Sequence, residues 1–239
     1  MTDSAIKVEK LCKSFSGTQV LNEIDLTVAK GEFKGLIGVN GAGKTTLIKC
    51  LLDFCEVTSG NIEIFGTTHT KKEARKRLVF LPERFVPPYY LTGKDFLVYM
   101  AELHGVEYNN KKVTDLFKIL DLESSALLKP VRDFSKGMAQ KLGLAACLMS
   151  EKDLMVLDEP MSGLDPKARA YLKQHLIELK QAGKTLFFST HMLADIEVLC
   201  DRVAILHDGR IRFAGTIEEC TNKFKADNLE QAYLACVGA

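Results

Sequence analysis

The sequence predicts an α/β fold: a core of buried strands and helices, an antiparallel β section ahead of it, and a helical block inserted within it. Three observations carry this prediction. The short runs "FKGLI", "LMVLD" and "TLFFST" are continuously apolar or nearly so, as strands are when a sheet is covered on both faces. Residues 6 to 28 alternate instead, with Ile6 and Val8 in one strand and Ile24, Leu26 and Val28 in another, the pattern of half-buried strands. From about residue 85 to 134 the period is helical and no strand signal occurs.

The 239 residues suit one large domain with a subdomain, and residues 1–239 are read as a single domain. Apolar residues make up 46% and charged residues 26%, ordinary values for a globular chain. A net charge of +1 excludes a global field for nucleic acid or an anionic membrane. "LGLAACLM" is among the longest apolar runs and stops at Lys141 and Ser150, far short of a membrane span. "MTDSAIKVEK" has no hydrophobic signal core, so the expected location is the cytoplasm. Seven cysteines, an odd number with no C-x-x-C pair, read as reduced thiols rather than a disulfide framework.

After the two alternating strands, Lys30–Gly31 makes a turn and leads into "EFKGLIGVNGAGKTTLIKCLLDF". Phe33 to Ile37 form a buried strand, and "TTLIKCLLDF" forms a helix with Leu47, Ile48, Leu51 and Leu52 on one side. Between them Gly38, Gly43, Lys44 and Thr45 match G-x-x-x-x-G-K-[ST], the phosphate-binding P-loop. Glycine lets successive N–H groups point inward at phosphate oxygens. Lys44 reaches the β- and γ-phosphates, the Thr45 hydroxyl suits Mg²⁺, and the helix N-terminus adds partial positive charge.

"TSG" then turns into "NIEIF", where Ile62 and Ile64 alternate. Five of the seven residues from Lys71 to Arg77 are basic and read as the solvated face of a helix. "GKDFLVYMAELHG" and "KKVTDLFKILDL" supply the helical block. "DFSKGMAQK" opens a further helix, with Ser135 as N-cap. The Ser135 hydroxyl, the Gly137 amide and that helix start make a second anion site.

"LMVLDEP" is a strand ending in Asp158 and Glu159, and ligands of open α/β sheets bind at the carboxyl ends of strands. Asp158 is placed to hold Mg²⁺, and Glu159 to orient or deprotonate an attacking water. "PKARAYLKQHLIELKQAG" is a helix with Pro166 in its first turn and Gly183 past its end. It crosses over to "TLFFST", and such crossovers bring their strands together. His191 therefore emerges near Glu159, where contact with a γ-phosphate is favoured over a structural role. "RVAILHDGRIRFAG" is a hairpin turning at Asp208–Gly209, and "LEQAYLACVGA" is a short terminal helix.

The order of P-loop, helical block, "SKGM", "VLDEP", "SGLD" and "STH" resembles the ATP-binding cassette of ABC transporters along nearly the whole chain. The resemblance implies the ABC ATPase fold, with ATP and Mg²⁺ as its cofactors. It implies that Asn40, Gly41, Ala42, Gly43, Lys44, Thr45 and Thr46 cradle the phosphates and metal. Phe15 matches the aromatic that stacks on adenine, and Val20 joins the same nucleotide set. Ser135 and Gly137 act in trans on the ATP of a partner cassette, with Asp165 at the dimer seam. Glu159 is the catalytic carboxylate and His191 senses the γ-phosphate. There are departures. Phe134, Lys136 and Met138 replace three of the five residues of the usual leucine-serine-glycine-glycine-glutamine signature. Glu83 stands where the family has a metal-contacting glutamine, so it is placed with Thr45 and Asp158 as a metal ligand.

"LPE" and "SKGM" together look like the cassettes of small-molecule and peptide exporters. The implied function is an ATPase subunit that powers a separate membrane permease from the cytoplasmic face, working head to tail with a second copy or a related cassette. No nucleic acid is expected. Phe85, Tyr89 and Tyr90, around Pro87–Pro88, are candidate anchors for the permease. A soluble ABC ATPase of translation or DNA repair is the alternative. Such proteins usually carry tandem cassettes or a long coiled coil, and no heptad run lies between Lys44 and Ser135. A regulatory module that binds without turnover is disfavoured by Glu159.

Overall fold

The computed structural model describes residues 3–238; Met1, Thr2 and Ala239, ends of the domain read from sequence, lie outside the described residues. The chain runs β1 (Ser4–Phe15), β2 (Thr18–Ala29), β3 (Phe33–Ile37), α1 (Lys44–Leu51), β4 (Ser59–Ile64), β5 (Thr67–Thr68) and β6 (Leu78–Leu81). Helices α2 (Gly93–His104), α3 (Asn110–Ile119) and α4 (Lys136–Met149) follow. Then come β7 (Leu154–Asp158), α5 (Pro166–Gln181), β8 (Thr185–Thr190), α6 (Leu193–Leu199), β9 (Arg202–His207), β10 (Arg210–Gly215), α7 (Ile217–Phe224) and α8 (Leu229–Val237).

The alternating strands build an antiparallel sheet in the order β2-β1-β4-β5, with Ile6 opposite Val28 and Val8 opposite Leu26. The continuous apolar runs build a six-stranded sheet, β10-β9-β3-β8-β7-β6, parallel except for the β9–β10 hairpin. Its two faces bury different neighbours. Leu36, Val156, Phe187 and Leu206 join β1, β2 and the apolar side of α1 in one core. Phe33, Ile37, Leu157, Phe188 and Ile205 join the helices in the other. Helix α1 therefore lies between the two sheets, and Leu47, Ile48, Leu51 and Leu52 are all buried, as their spacing predicts. The helical block packs α2 and α3 on α4, and α3 also meets α5.

Several elements differ from the sequence reading. Helix α1 stops at Leu51, and Asp53 already has a left-handed φ of 60°. The basic run forms one 3₁₀ turn, Lys72–Arg75, not a helical face. Lys71, Lys72 and Lys76 are exposed as expected, but two of its cations are engaged: Arg75 donates to the His69 carbonyl at 2.6 Å, and Arg77 pairs with Asp153 at 2.7 Å while stacking over Phe65. Strand β6 and helix α6 carry no sufficient local signal, and α7 offers only its capping box, Thr216 with Glu219. They are four, seven and eight residues long, too short for periodicity to separate strand from helix.

The β9–β10 turn is as expected. Asp208 and Gly209 have φ of 48° and 68° between the paired residues His207 and Arg210, the two-residue turn that right-twisted strands favour. Gly209 also lies against the other sheet: a Cβ there meets the Val20 carbonyl oxygen at 2.3 Å. Gly209→Ala adds an unfavourable left-handed φ to a backbone clash, and we expect it to cost about 2–3 kcal/mol. Thermal unfolding should show a midpoint lowered by roughly 4–10 °C; an unchanged midpoint would refute this account of the turn.

Candidate functional site

Three neighbouring strand ends assemble the site. Strand β3 pairs with β8, and β8 with β7, all parallel, so the segments leaving their carboxyl ends meet. The P-loop leaves β3, Asp158 and Glu159 end β7, and His191 follows β8. Strand β6 lies beside β7, with Leu81 opposite Leu157, which brings Glu83 to the same edge.

The P-loop wraps its own lysine. Gly43 takes φ 108° as the N-cap of α1, a conformation costly for any residue with a Cβ. A Cβ on Gly38 meets the Leu206 carbonyl oxygen at 2.3 Å, so the loop needs glycine to pass β9. The Lys44 ammonium, 7% exposed, donates to the Gly38 and Val39 carbonyls at 2.7 and 3.3 Å and lies 3.9 Å from Glu159 Oε1.

Asp158, 2% exposed, accepts a hydrogen bond from the Thr45 hydroxyl at 2.9 Å through one oxygen and from the Ser189 hydroxyl through the other. Glu159 has φ 48°. Its N–H donates to the Ser189 carbonyl at 3.2 Å and lies 3.0 Å from Ser189 Oγ. Its Oε2 lies 3.0 Å from His191 Nδ1. The result is a cavity of about 340 Å³ lined by Val20, Asn40, Gly41, Gly43, Lys44, Thr45, Thr46, Glu83, Asp158, Glu159 and His191. A buried ammonium and a helix N-terminus suit an anion. The Thr45 hydroxyl and the carboxylates of Asp158 and Glu83 are hard oxygen donors of the kind Mg²⁺ takes. No group of three or more histidine, cysteine, aspartate or glutamate side chains placed to hold a metal occurs among the described residues.

Ser135, Gly137 and Asp165 line a different cavity, of about 570 Å³. Ser135 caps α4 by accepting from the Met138 N–H at 3.2 Å. Gly137 faces Gly163, whose carbonyl oxygen lies 3.0 Å from where a Cβ would sit. Asp165 caps α5 through the Ala168 N–H at 2.9 Å and pairs with Lys141 at 2.8 Å. The N–H bond first, and then the ammonium, hold its carboxyl down to about 2.

Two candidates sit apart. Phe15 lines neither cavity; it is exposed at the end of β1, with the Lys13 ammonium 4.5 Å above its ring. The Ala42 side chain is buried in the apolar layer around α1, which leaves its main chain for a ligand. Sequence reasoning missed Val39 and Ser162 in the first cavity, Gly163 and Lys141 in the second, and the role of Ser189. All stand inside or beside the runs "GVNGAGKTT", "DFSKGMAQK", "DEPMSGLD" and "STH", so position within a motif was the available signal.

Known proteins resemble this chain in sequence and fold. A family model described as ABC transporter matches residues 21–162. Uncharacterised ABC transporter ATP-binding proteins of Synechocystis sp. and Nostoc sp. are 37% and 39% identical over 202 residues, covering 83% of this chain. The chain spans 57% and 60% of the length of those relatives. The bacitracin transport ATP-binding protein BcrA of Enterococcus faecalis is 36% identical over 86% of this chain and 67% of its own. A solved ATP-binding subunit of an ABC transporter superposes with a TM-score of 0.86 at 30% identity, covering 98% of this chain and 99% of that one. The chain belongs to the ABC transporter family, among its ATP-binding proteins.

Proposed function

We propose that this chain hydrolyses ATP to drive an ABC transporter through a separate membrane permease. The observation that carries the reading is the convergence of Lys44, Glu159 and His191 on one cavity, with Glu159 3.0 Å from the histidine and 3.9 Å from the lysine. The triphosphate lies along the P-loop N–H groups, with Lys44 at its β- and γ-oxygens. Thr45, Asp158 and Glu83 hold Mg²⁺, which neutralises charge on those oxygens when bound. Glu159 takes the proton of the attacking water, and His191 bridges Glu159 and the γ-phosphate. Glu83 adds a negative charge beside the triphosphate where the family has a neutral amide.

Ser135, Gly137 and Asp165 stand at a cavity apart from the P-loop, which supports a head-to-tail pair in which each signature covers the partner's ATP. That arrangement closes as a two-fold dimer, of two copies or of this chain with a relative. The permease surface lies next to Glu83. A groove lined by Phe54, Phe80, Pro82, Glu83 and Arg84 shares Thr45 and Asp158 with the phosphate cavity. Phe85 packs edge-on against Phe96 inside the helical block, whereas Tyr89 and Tyr90 stand 70% and 72% exposed, with their rings edge to face at 5.6 Å. No described helix is long and apolar enough to cross a membrane; in this reading the permease holds the chain at the cytoplasmic face. Likeness to a bacitracin transport subunit, with "LPE" and "SKGM", supports export of small molecules or peptides. The balanced net charge speaks for no nucleic acid.

Lys44→Ala should weaken Mg·ATP binding strongly and abolish turnover; wild-type turnover in a phosphate-release assay would remove the P-loop assignment. Glu159→Gln keeps shape and hydrogen-bonding reach but loses basicity, so hydrolysis should fall by about 10²–10⁴-fold while ATP still binds. It also relieves repulsion next to the γ-phosphate. The variant should therefore accumulate as an ATP-bound dimer, read by light scattering as a doubled mass with ATP and a single mass with ADP. Normal hydrolysis in it would sink the catalytic assignment. Replacing Tyr89 and Tyr90 with serine should impair transport or permease assembly while the isolated chain stays folded; unchanged transport would count against that surface.

A further inference from the structure

Helix α6 begins two residues after His191, and the Met192 N–H between them donates to the Thr190 hydroxyl at 3.0 Å. Its N-cap is Met192, which makes no side-chain cap bond; a helix start without a cap leaves donors unsatisfied and frays. The His191 side chain is 57% exposed, and its recorded polar contact is Glu159. The position of its ring therefore follows from the two ends that flank it, the last residue of β8 and the start of α6. The inner side of α6 packs closely on β3: a Cβ on Gly35 meets Ile196 Cδ1 at 2.0 Å. The first turn is tied sideways by charge. Asp195, 2% exposed, pairs with Lys173 at 2.7 Å and Arg169 at 3.1 Å, two cations one turn apart on α5. Its N–H donates to the Met192 carbonyl at 3.1 Å, so the carboxylate and the uncapped start share one turn. A carboxylate this buried persists only when paired, and removing one partner of such a group is felt strongly.

Helix α5 is secured at its other edge by the same means. Its cap Asp165 pairs with Lys141 of α4, and Lys141 also donates to the Asp121 carbonyl at 2.9 Å. The segment carrying His191 and the helix carrying Ser135 are thus both ion-paired to α5. We infer that Asp195 is a positioning residue for hydrolysis: by binding Arg169 and Lys173 it holds the uncapped start of α6 against α5 and keeps His191 within reach of Glu159. The inference rests on the proposed role of His191.

The test is ATP turnover by the purified full chain in a double-mutant cycle. Asp195→Asn keeps the shape and removes the charge. A displacement of about 1 Å at a reacting group is able to cost about a hundredfold, so kcat should fall by about 10- to 100-fold with KM for Mg·ATP within about threefold. Placed on His191→Ala, the same substitution should add no further loss, because Asp195 acts through the histidine. The His191 ring resonance, assigned by its disappearance in His191→Ala, should move in Asp195→Asn. Asp195→Glu should recover part of the rate. If Asp195→Asn does not fold, Lys173→Gln removes one ion pair and leaves Arg169 in place; a severalfold fall in kcat, again absent on His191→Ala, is expected. A wild-type kcat in Asp195→Asn, or a loss that multiplies in full with that of His191→Ala, overturns the inference. Wild-type turnover in His191→Ala removes the proposed role of the histidine and this inference with it, whereas an impaired His191→Ala beside a normal Asp195→Asn removes only the inference.

Discussion

The arrangement of the site depends on one buried carboxylate. Asp158, at the end of β7, accepts the Thr45 hydroxyl from the first turn of α1 and the Ser189 hydroxyl from β8. Removing a carboxylate from water is costly unless its lone pairs are met, so these hydroxyls hold the P-loop helix, β7 and β8 at one spacing. Ser189 then meets the N–H of Glu159 with both its carbonyl and its hydroxyl oxygen. That support keeps Glu159 at φ 48°, a conformation L-residues rarely adopt and one that persists where the surroundings over-determine it. The turn at Glu159 aims its carboxylate back toward Lys44 and His191.

Covering both faces of the six-stranded sheet sets where the two cavities lie. On one face α1 is clamped under the antiparallel sheet, and the P-loop stands at the strand ends above it. On the other, the helical block brings α4 over the sheet and presents Ser135 beside Gly163 and Asp165. Buried Gln140 of α4, whose side-chain amide donates to the Pro160 carbonyl at 3.4 Å, links the signature helix to the turn that follows Glu159.

Most of the fold was legible because its signals are local. Glycine spacing specifies the P-loop whatever surrounds it, continuous apolar runs mark β3, β7 and β8, and Asp208–Gly209 specifies its turn. The order of motifs pointed to the family, and the structure brings the P-loop residues, Glu83, Asp158, Glu159 and His191 to one cavity. Strand β6 and helix α6 stayed hidden, since each is short and packs on elements from other parts of the chain; α7 was missed although its capping box and its neighbours β10 and α8 are local. The basic run from Lys71 to Arg77 misled in part: its lysines are solvated, but it forms a single 3₁₀ turn, and Arg75 and Arg77 are spent on a carbonyl, a carboxylate and an aromatic face.

By itself the sequence determined which chemical groups this chain brings to phosphate: a lysine in a glycine loop, hydroxyls at two helix starts, and two carboxylates at the end of an apolar strand. These follow from residue type and spacing along the backbone, which act over a few residues. Only the tertiary structure decided which groups meet. That Ser189 supports both Asp158 and Glu159, that Lys141 reaches Asp165, and that Asp195 joins α6 to α5 depend on parallel strand order and helix packing. These contacts form between groups 22 to 31 residues apart, where local chain geometry imposes no distance and burial of polar groups selects the partner.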